Sequence, residues 1–319
     1  MGADANRDLL DPQVHALLQL IEQRGLPPTH TLAPKEARAM YRDRRFFTQP
    51  EAPELHEVRD LEMKSAGGPI SLRLYRPAPE QGAPALVYFH GGGWTIGDLD
   101  THDVLCRELA LASGCVLVAV DYRLGPEHRF PAAVDDAWAA TRWVAKHAAE
   151  LGIDAARIGV GGDSAGGNLA AVVALMARDA GDPPLAFQLL IYPATDARRQ
   201  HESHRTNGEG YLLTRDTIEY FHDHYICRAS EDLDWRASPL LHEDLSRLPP
   251  AFVLVAGFDP LRDEGLDYAR RLGEAGNRVS CVNFPRQIHG FITMGRVIDE
   301  ANAAVAMCAA QMRRVMAPR

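Results

Sequence analysis

Continuous apolar runs at residues 70–75, 85–89, 116–122, 157–161, 187–192, 252–258 and 279–284 alternate with helix-like stretches at 103–113, 132–151, 167–179, 264–274 and 301–315. Strands that are apolar throughout, separated by helices, predict a mostly parallel sheet covered by helices on both faces. In such sheets the functional site lies at the carboxyl ends of the strands. Two regions break the alternation. Residues 11–25 read as an amphipathic helix, with Asp11 as N-cap, Pro12 in the first turn, Val14, Leu17, Leu18 and Ile21 on one face, and Gly25 as terminator. A second helix is expected over residues 34–47, and neither belongs to a strand-helix unit. Residues 195–249 are polar and rich in histidine, with one amphipathic helix at 214–226 that presents Ile218, Phe221 and Tyr225 on one side. An insertion of this size inside a compact domain is usually functional or disordered.

Candidate chemistry clusters at the expected edge. Gly162-Asp163-Ser164-Ala165-Gly166 lies between the strand-like run 157–161 and a helical run that begins near Gly167. A strand that turns sharply into a helix forces its middle residue into a strained conformation, and small neighbours let strand and helix approach. Ser164 would stand exposed on that elbow, with the helix N-terminus and the Ala165 N–H behind it. The bare pattern also occurs in simple turns, so its context matters. His90-Gly91-Gly92-Gly93-Trp94 follows the strand 85–89, and its uncovered backbone N–H groups can converge on an oxyanion. A flexible turn would explain the glycines, but not their position after a strand and upstream of a serine elbow. An acid and a histidine should then follow in that chain order. Asp259 comes directly after the run 251–258, and His289 follows the short run 278–284 and Pro285.

With these residues in hand, the chain resembles the bacterial branch of the hormone-sensitive lipase family of α/β-hydrolase carboxylesterases. The resemblance rests on residues 90–94, 121–127, 162–167, 259–265 and 289–291, with Gly125 standing where the family more often has alanine. It implies an α/β-hydrolase fold: a mostly parallel central sheet with helices on both faces and a helical cap. Residues 1–50 would form the first part of the cap, 195–249 the inserted second part, and 51–194 with 250–319 the core. Ser164 is the expected nucleophile, His289 the base and Asp259 the residue that orients the base. The N–H groups of Gly92, Gly93 and Ala165 are the expected oxyanion hole, while Gly91 shapes the loop by analogy with the family. Asp263, one helical turn after Asp259, is expected to be a neighbour in the following helix and not the acid of the site.

Other residues carry plainer readings. His90 should fix its loop by a hydrogen bond, Trp94 should pack near the site mouth, and Asp163 should hold the elbow. Arg123 and Glu127 are expected to pair with each other. His201, His204, His222 and His224 do not form the helical His-Glu-x-x-His motif, so no metal is expected and they read as solvated loop histidines.

A chain of 319 residues, 46% hydrophobic and 24% charged, can hold one large α/β domain with a cap. Its formal net charge of -9 lacks the basic footprint that a nucleic-acid partner requires. The five cysteines have no metal-ligand spacing, and four lie in apolar stretches where a thiol is usually an inert core residue. With a polar start at residues 2–8 and no apolar segment of about twenty residues, neither a signal peptide nor a membrane partner is expected. The expected protein is therefore cytoplasmic and needs no cofactor. A homodimer is compatible with the sequence but is not read from it. The leading reading is a carboxylesterase for short-chain or small aryl esters. The alternatives are a non-catalytic small-molecule receptor of the same fold, and an amide or lactone hydrolase using the same three residues.

Overall fold

The computed structural model describes residues 9–317, and the polar start at 2–8 lies outside them. One eight-stranded sheet runs through the molecule: β1 (Glu57–Ser65), β2 (Gly68–Arg76), β3 (Ala83–Phe89), β4 (Val116–Asp121), β5 (Ile153–Asp163), β6 (Phe187–Ile191), β7 (Ala251–Phe258) and β8 (Val279–Ile288). Their spatial order is β1-β2-β4-β3-β5-β6-β7-β8. β2 pairs antiparallel with β1 and with β4, and every pairing from β4 through β8 is parallel.

Seven of these strands match the apolar runs. β1 was not among the expected elements, because Glu57–Ser65 is largely polar and its outer neighbour is solvent; only Met63 is buried along it. Alternation of side chains across the pleat divides the core in two. Val87 and Phe89 of β3 join one buried cluster with Val118, Val120, Leu169 and Val173, whereas Leu86 and Tyr88 join a second with Leu117, Ala119, Leu109 and Met312. Each cluster therefore fills the space between one sheet face and its helices. The first packs α4 (Ala132–Lys146) and α5 (Ala165–Ala180); the second packs α3 (Asp103–Ser113) and α9 (Asp299–Met316). The mostly parallel sheet covered on both faces is what the alternation predicted, and it is the α/β-hydrolase architecture that the resemblance implied.

The additional helices take two routes. α1 (Pro12–Gln23) is capped as expected, with the Asp11 carboxylate accepting the Gln13 N–H at 2.8 Å. Its buried Val14 and Leu18 enter the second cluster, beside Phe284, Ile288 and Ile298. It thus packs on the β8 side of the core, and it contributes no residue to the cavity described below. α2 (Pro34–Thr48) lies against the glycine loop instead: Arg38 donates to the carbonyls of Thr95 and Gly125, each at 2.8 Å. Within the insertion, α6 (Glu202–Thr206) is short and α7 (Arg215–Tyr225) is amphipathic, with Thr214 as its N-cap. α8 (Arg262–Glu274) follows β7 on the core. No helix among the described residues is long and apolar enough to cross a membrane.

Candidate active site

Only Ser164 separates β5 from α5, and it adopts φ 57° and ψ -119°. A left-handed backbone of this kind costs on the order of 1–3 kcal/mol in a residue other than glycine, and it persists only where the surroundings hold it. Here the Ser164 N–H donates to Ile191 O at 2.8 Å, and Ser164 O accepts from Asn168 N at 3.0 Å and Ala194 N at 3.3 Å. The helix can start this close to the sheet because Gly166 has no side chain: a Cβ there would lie 1.8 Å from Phe89 O.

Asp259 follows the last residue of β7 and is fully buried. Its Oδ1 accepts the Leu261 N–H at 2.8 Å, and its Oδ2 lies 2.7 Å from His289 Nδ1. The other ring nitrogen, His289 Nε2, lies 2.9 Å from Ser164 Oγ. With the Nδ1 proton donated to Asp259, Nε2 is the lone-pair acceptor for the Ser164 hydroxyl. The Tyr192 ring packs against the imidazole with centroids 4.5 Å apart, which limits its rotation. Three residues at the carboxyl ends of three strands, β5, β7 and β8, are thereby joined in one continuous hydrogen-bonded line.

The glycine loop is tied to the elbow through Asp163. Its Oδ1 accepts the Gly91 N–H at 2.9 Å and the Tyr88 hydroxyl at 2.8 Å, and its carboxylate faces His102 Nε2 at 3.3 Å. Burial alone would raise this carboxyl's pKa, but the neighbouring His102 charge and the hydrogen bonds from His102 and Tyr88 outweigh it and hold it below the ordinary value. His90 makes its loop contact through Nδ1, 2.9 Å from Gly91 O, and stacks on Tyr122 at 4.3 Å between centroids. Desolvation, reinforced by His102, lowers its pKa to about 4, which keeps the ring neutral at pH 7. Gly92 and Gly93 adopt φ 126° and 57°. Neither N–H has a backbone acceptor among the described residues.

A cavity of about 160 Å³ opens over Ser164 and is largely apolar. Its floor is formed by Gly92, Gly93, Ala165 and His289; Ile218, Phe221 and Tyr225 of α7 enclose it from the insertion, and Tyr41 of α2 from the N-terminal segment. Phe221 lies so close to the glycine loop that a Cβ on Gly93 would fall 2.2 Å from its Cγ. Trp94 stacks flat on Tyr225, with ring centroids 4.4 Å apart.

Several side chains depart from expectation. Arg123 and Glu127 do not pair with each other. Arg123 forms a two-pronged ion pair with buried Asp136, both contacts at 2.8 Å, and Glu127 is held by Arg38 at 2.6 and 2.8 Å. Each charge is taken by a partner from another segment, and sequence proximity carried no information about it. The four histidines of the insertion are not simply solvated. His204 is buried with Nε2 2.7 Å from Glu264 Oε2, His222 Nε2 lies 2.7 Å from Asp232 Oδ1, His201 sits between Asp196 and Asp267, and His224 Nδ1 contacts Tyr220 O at 2.6 Å. Cys281 is exposed on the edge strand β8 rather than buried, whereas Cys106, Cys115 and Cys308 are core residues.

Glu264 was also beyond sequence reasoning. Its carboxylate, buried in the helix after Asp259, accepts Thr195 N at 2.6 Å and Asp196 N at 3.2 Å as well as meeting His204. It thus pins the start of the insertion to the core. The only available hint was its place in the segment 259–265.

A serine elbow, an acid-held imidazole and a glycine loop on this sheet form a candidate site of the α/β-hydrolase type. Comparison with known proteins agrees: the family described as alpha/beta hydrolase fold matches residues 86–293. Carboxylesterase NlhH of Mycobacterium tuberculosis is 42% identical, with 96% of each chain covered. The ethyl acetate hydrolase of Pseudomonas putida is 41% identical over 93% of this chain and 96% of its own. Among solved structures, an ester-hydrolase from the metagenome of Lake Arreo, complexed with a bipyridine phosphonate derivative, superposes with a TM-score of 0.93 at 43% identity, covering 96% of this chain and 98% of that one. The chain belongs to the α/β-hydrolase carboxylesterases, the enzyme family of carboxylic ester hydrolases in the bacterial hormone-sensitive lipase branch.

Proposed function

We propose that the chain is a serine carboxylesterase that cleaves short-chain or small aryl esters through an acyl-enzyme. The observation that carries this reading is the unbroken line from Ser164 Oγ to His289 Nε2 at 2.9 Å and from His289 Nδ1 to Asp259 Oδ2 at 2.7 Å. Ser164 attacks the ester carbonyl while its proton passes to His289 Nε2. The Asp259 carboxylate keeps the ring oriented and stabilises the imidazolium. The N–H groups of Gly92, Gly93 and Ala165 donate to the tetrahedral oxyanion, assisted by the N-terminal end of α5. Collapse expels the alcohol with the proton from His289. A water deprotonated by the same imidazole then releases the carboxylic acid and restores Ser164.

In this reading α2 and the insertion are the cap that closes the ester into an apolar space. A receptor that only binds its ligand would have no need of the complete Ser164-His289-Asp259 line. The test is turnover of p-nitrophenyl acetate together with labelling by an organophosphate. The wild-type protein should release p-nitrophenol and take up one label, mapped to Ser164, and Ser164→Ala should do neither. Label on another serine with Ser164→Ala still active would remove the mechanism.

A further inference from the structure

The charged groups around the cavity are unequally matched. Three carboxylates line it, Asp163, Asp196 and Glu264, and each is buried and already occupied. Asp163 holds Gly91, Tyr88 and His102, as described above. Asp196 receives both prongs of the Arg198 guanidinium at 2.8 and 2.9 Å, and Glu264 receives His204 and two backbone N–H groups. Of the lining histidines outside the Ser164 line, His204 and His222 each have a carboxylate at 2.7 Å. Two guanidiniums remain, Arg44 and Arg199.

Among the described residues neither arginine has a carboxylate within ion-pair distance. Arg44 is half-buried on α2, with its guanidinium carbon 4.7 Å from the centroid of the Tyr41 ring, a neutral partner. It lines the same cavity as Ser164 and His289, which places it near the reacting centre. Arg199 is half-buried in the loop after β6 and is held at φ 57° by a turn in which its N–H donates to Asp196 O at 3.1 Å. Glycine or asparagine would take that conformation at lower cost than arginine. The two cations come from separate segments, α2 and the insertion, yet line the same apolar space.

In a chain with 43 acidic and 34 basic residues, the unpaired charges of this cavity are thus both positive. A planar guanidinium with several donors in a fixed fork matches a carboxylate, and in a partly water-excluded site such pairing contributes far more than on the surface. We propose that the preferred substrates of the proposed esterase are short esters that carry a free carboxylate, such as monoesters of small dicarboxylic acids, with Arg44 and Arg199 receiving that carboxylate while the ester carbonyl lies at Ser164. The inference rests on the esterase reading and specifies its substrate class.

The experiment compares monoethyl glutarate with ethyl 5-oxohexanoate, which replaces the carboxylate by a methyl ketone of equal size, following ethanol release at low and high salt. Wild-type enzyme should favour the acid ester in kcat/KM, chiefly through KM. The ratio of the two kcat/KM values should fall on the order of tenfold in Arg199→Gln and Arg44→Gln, and further in the double variant, since a hydrogen bond to a charged group is worth about that much. Arg199→Lys should restore part of it. A general structural defect would depress both esters and leave the ratio intact. As a readout that needs no variant, glutarate should inhibit turnover of the neutral ester competitively in the wild type, and glutaramide should not. A wild type that favours the neutral ester, shows no preference, or is insensitive to glutarate overturns the proposal, as does a preference that survives in the double variant. Hydrolysis of neither ester would instead remove the esterase reading on which it rests.

Discussion

The Asp163 carboxylate accepts the Gly91 N–H at 2.9 Å, joining the residue that precedes the candidate nucleophile to the loop that carries the candidate oxyanion donors. The two halves of the proposed oxyanion hole come from different strands, β3 and β5, and this contact sets the distance between them. Replacing Asp163 by alanine leaves the Gly91 N–H and the Tyr88 hydroxyl buried without a partner, for a loss of about 3 kcal/mol. Asp163→Asn keeps one acceptor oxygen but loses the charge facing His102. We expect Asp163→Asn to fold and to lose about tenfold in kcat, and Asp163→Ala to lose more in both kcat and urea stability. Wild-type kcat in the alanine variant would mean that the loop is held from elsewhere.

His90 makes stability depend on pH. Its burial, with His102 beside it, lowers its pKa from 6.5 to about 4. The unfolded chain takes up this proton as the pH falls through 6.5, whereas the folded chain does not until about 4. Between those values each step toward acid favours the unfolded state, so this contribution rises with pH and is complete above 6.5. At pH 5 the loss amounts to roughly 2 kcal/mol relative to pH 7. Urea unfolding of wild type and His90→Asn at both pH values tests this: the difference between pH 7 and pH 5 should shrink by about that amount in the variant. An equal pH dependence would assign the effect to other groups.

The two aspartates after β7 should behave very differently. Asp259 meets His289, whereas Asp263 is turned toward Arg262 at 2.7 Å and accepts the Ser203 N–H at 2.9 Å. Asp259→Asn should lower kcat by several orders of magnitude, about 10⁴ in a comparable site. Asp263→Asn should keep most of the activity and lose some stability through the insertion that Ser203 anchors. The reverse pattern would show that the wrong carboxylate has been assigned. An esterase assay on both purified variants decides it.

The central strands β3 to β7 were legible because burial on both faces leaves a continuous apolar run, whereas β2 and the edge strand β8 keep exposed positions and were read from shorter apolar stretches. β1 was not, since an edge strand with one wet face carries charges that resemble a loop. The positions of Ser164, Asp259 and His289 followed from where strands end, a local property. The partners of Arg123, Glu127, His204 and His222 did not, because ion pairs form between segments that only the tertiary fold brings together. The two N-terminal helices were visible as amphipathic stretches, yet periodicity reports that a face is buried and not against what. α1 therefore turned out to bury Val14 and Leu18 on the β8 side of the core, while Tyr41 and Arg44 of α2 reach the cavity.

Phe221 should limit the length of acyl group that the proposed esterase accepts. It stands over Gly93 with Ile218 and Tyr225 from the same helix, and the cavity beneath has a volume of about 160 Å³. An enclosed apolar space buries a small ligand well but has no room for a long chain unless the wall moves. Acyl groups of roughly two to eight carbons should therefore be preferred, with long-chain esters poor substrates. Phe221→Ala removes the ring and should shift the optimum toward longer chains, while the Ser164-His289-Asp259 line is untouched. Because α1 packs on the core, its removal should lower solubility and stability by exposing apolar surface, without changing the chain-length profile. The measurement is kcat/KM across p-nitrophenyl esters from acetate to palmitate for the wild type, Phe221→Ala and a protein shortened by α1. An optimum at palmitate in the wild type, or a profile unmoved by Phe221→Ala, would mean that α7 does not bound the acyl pocket.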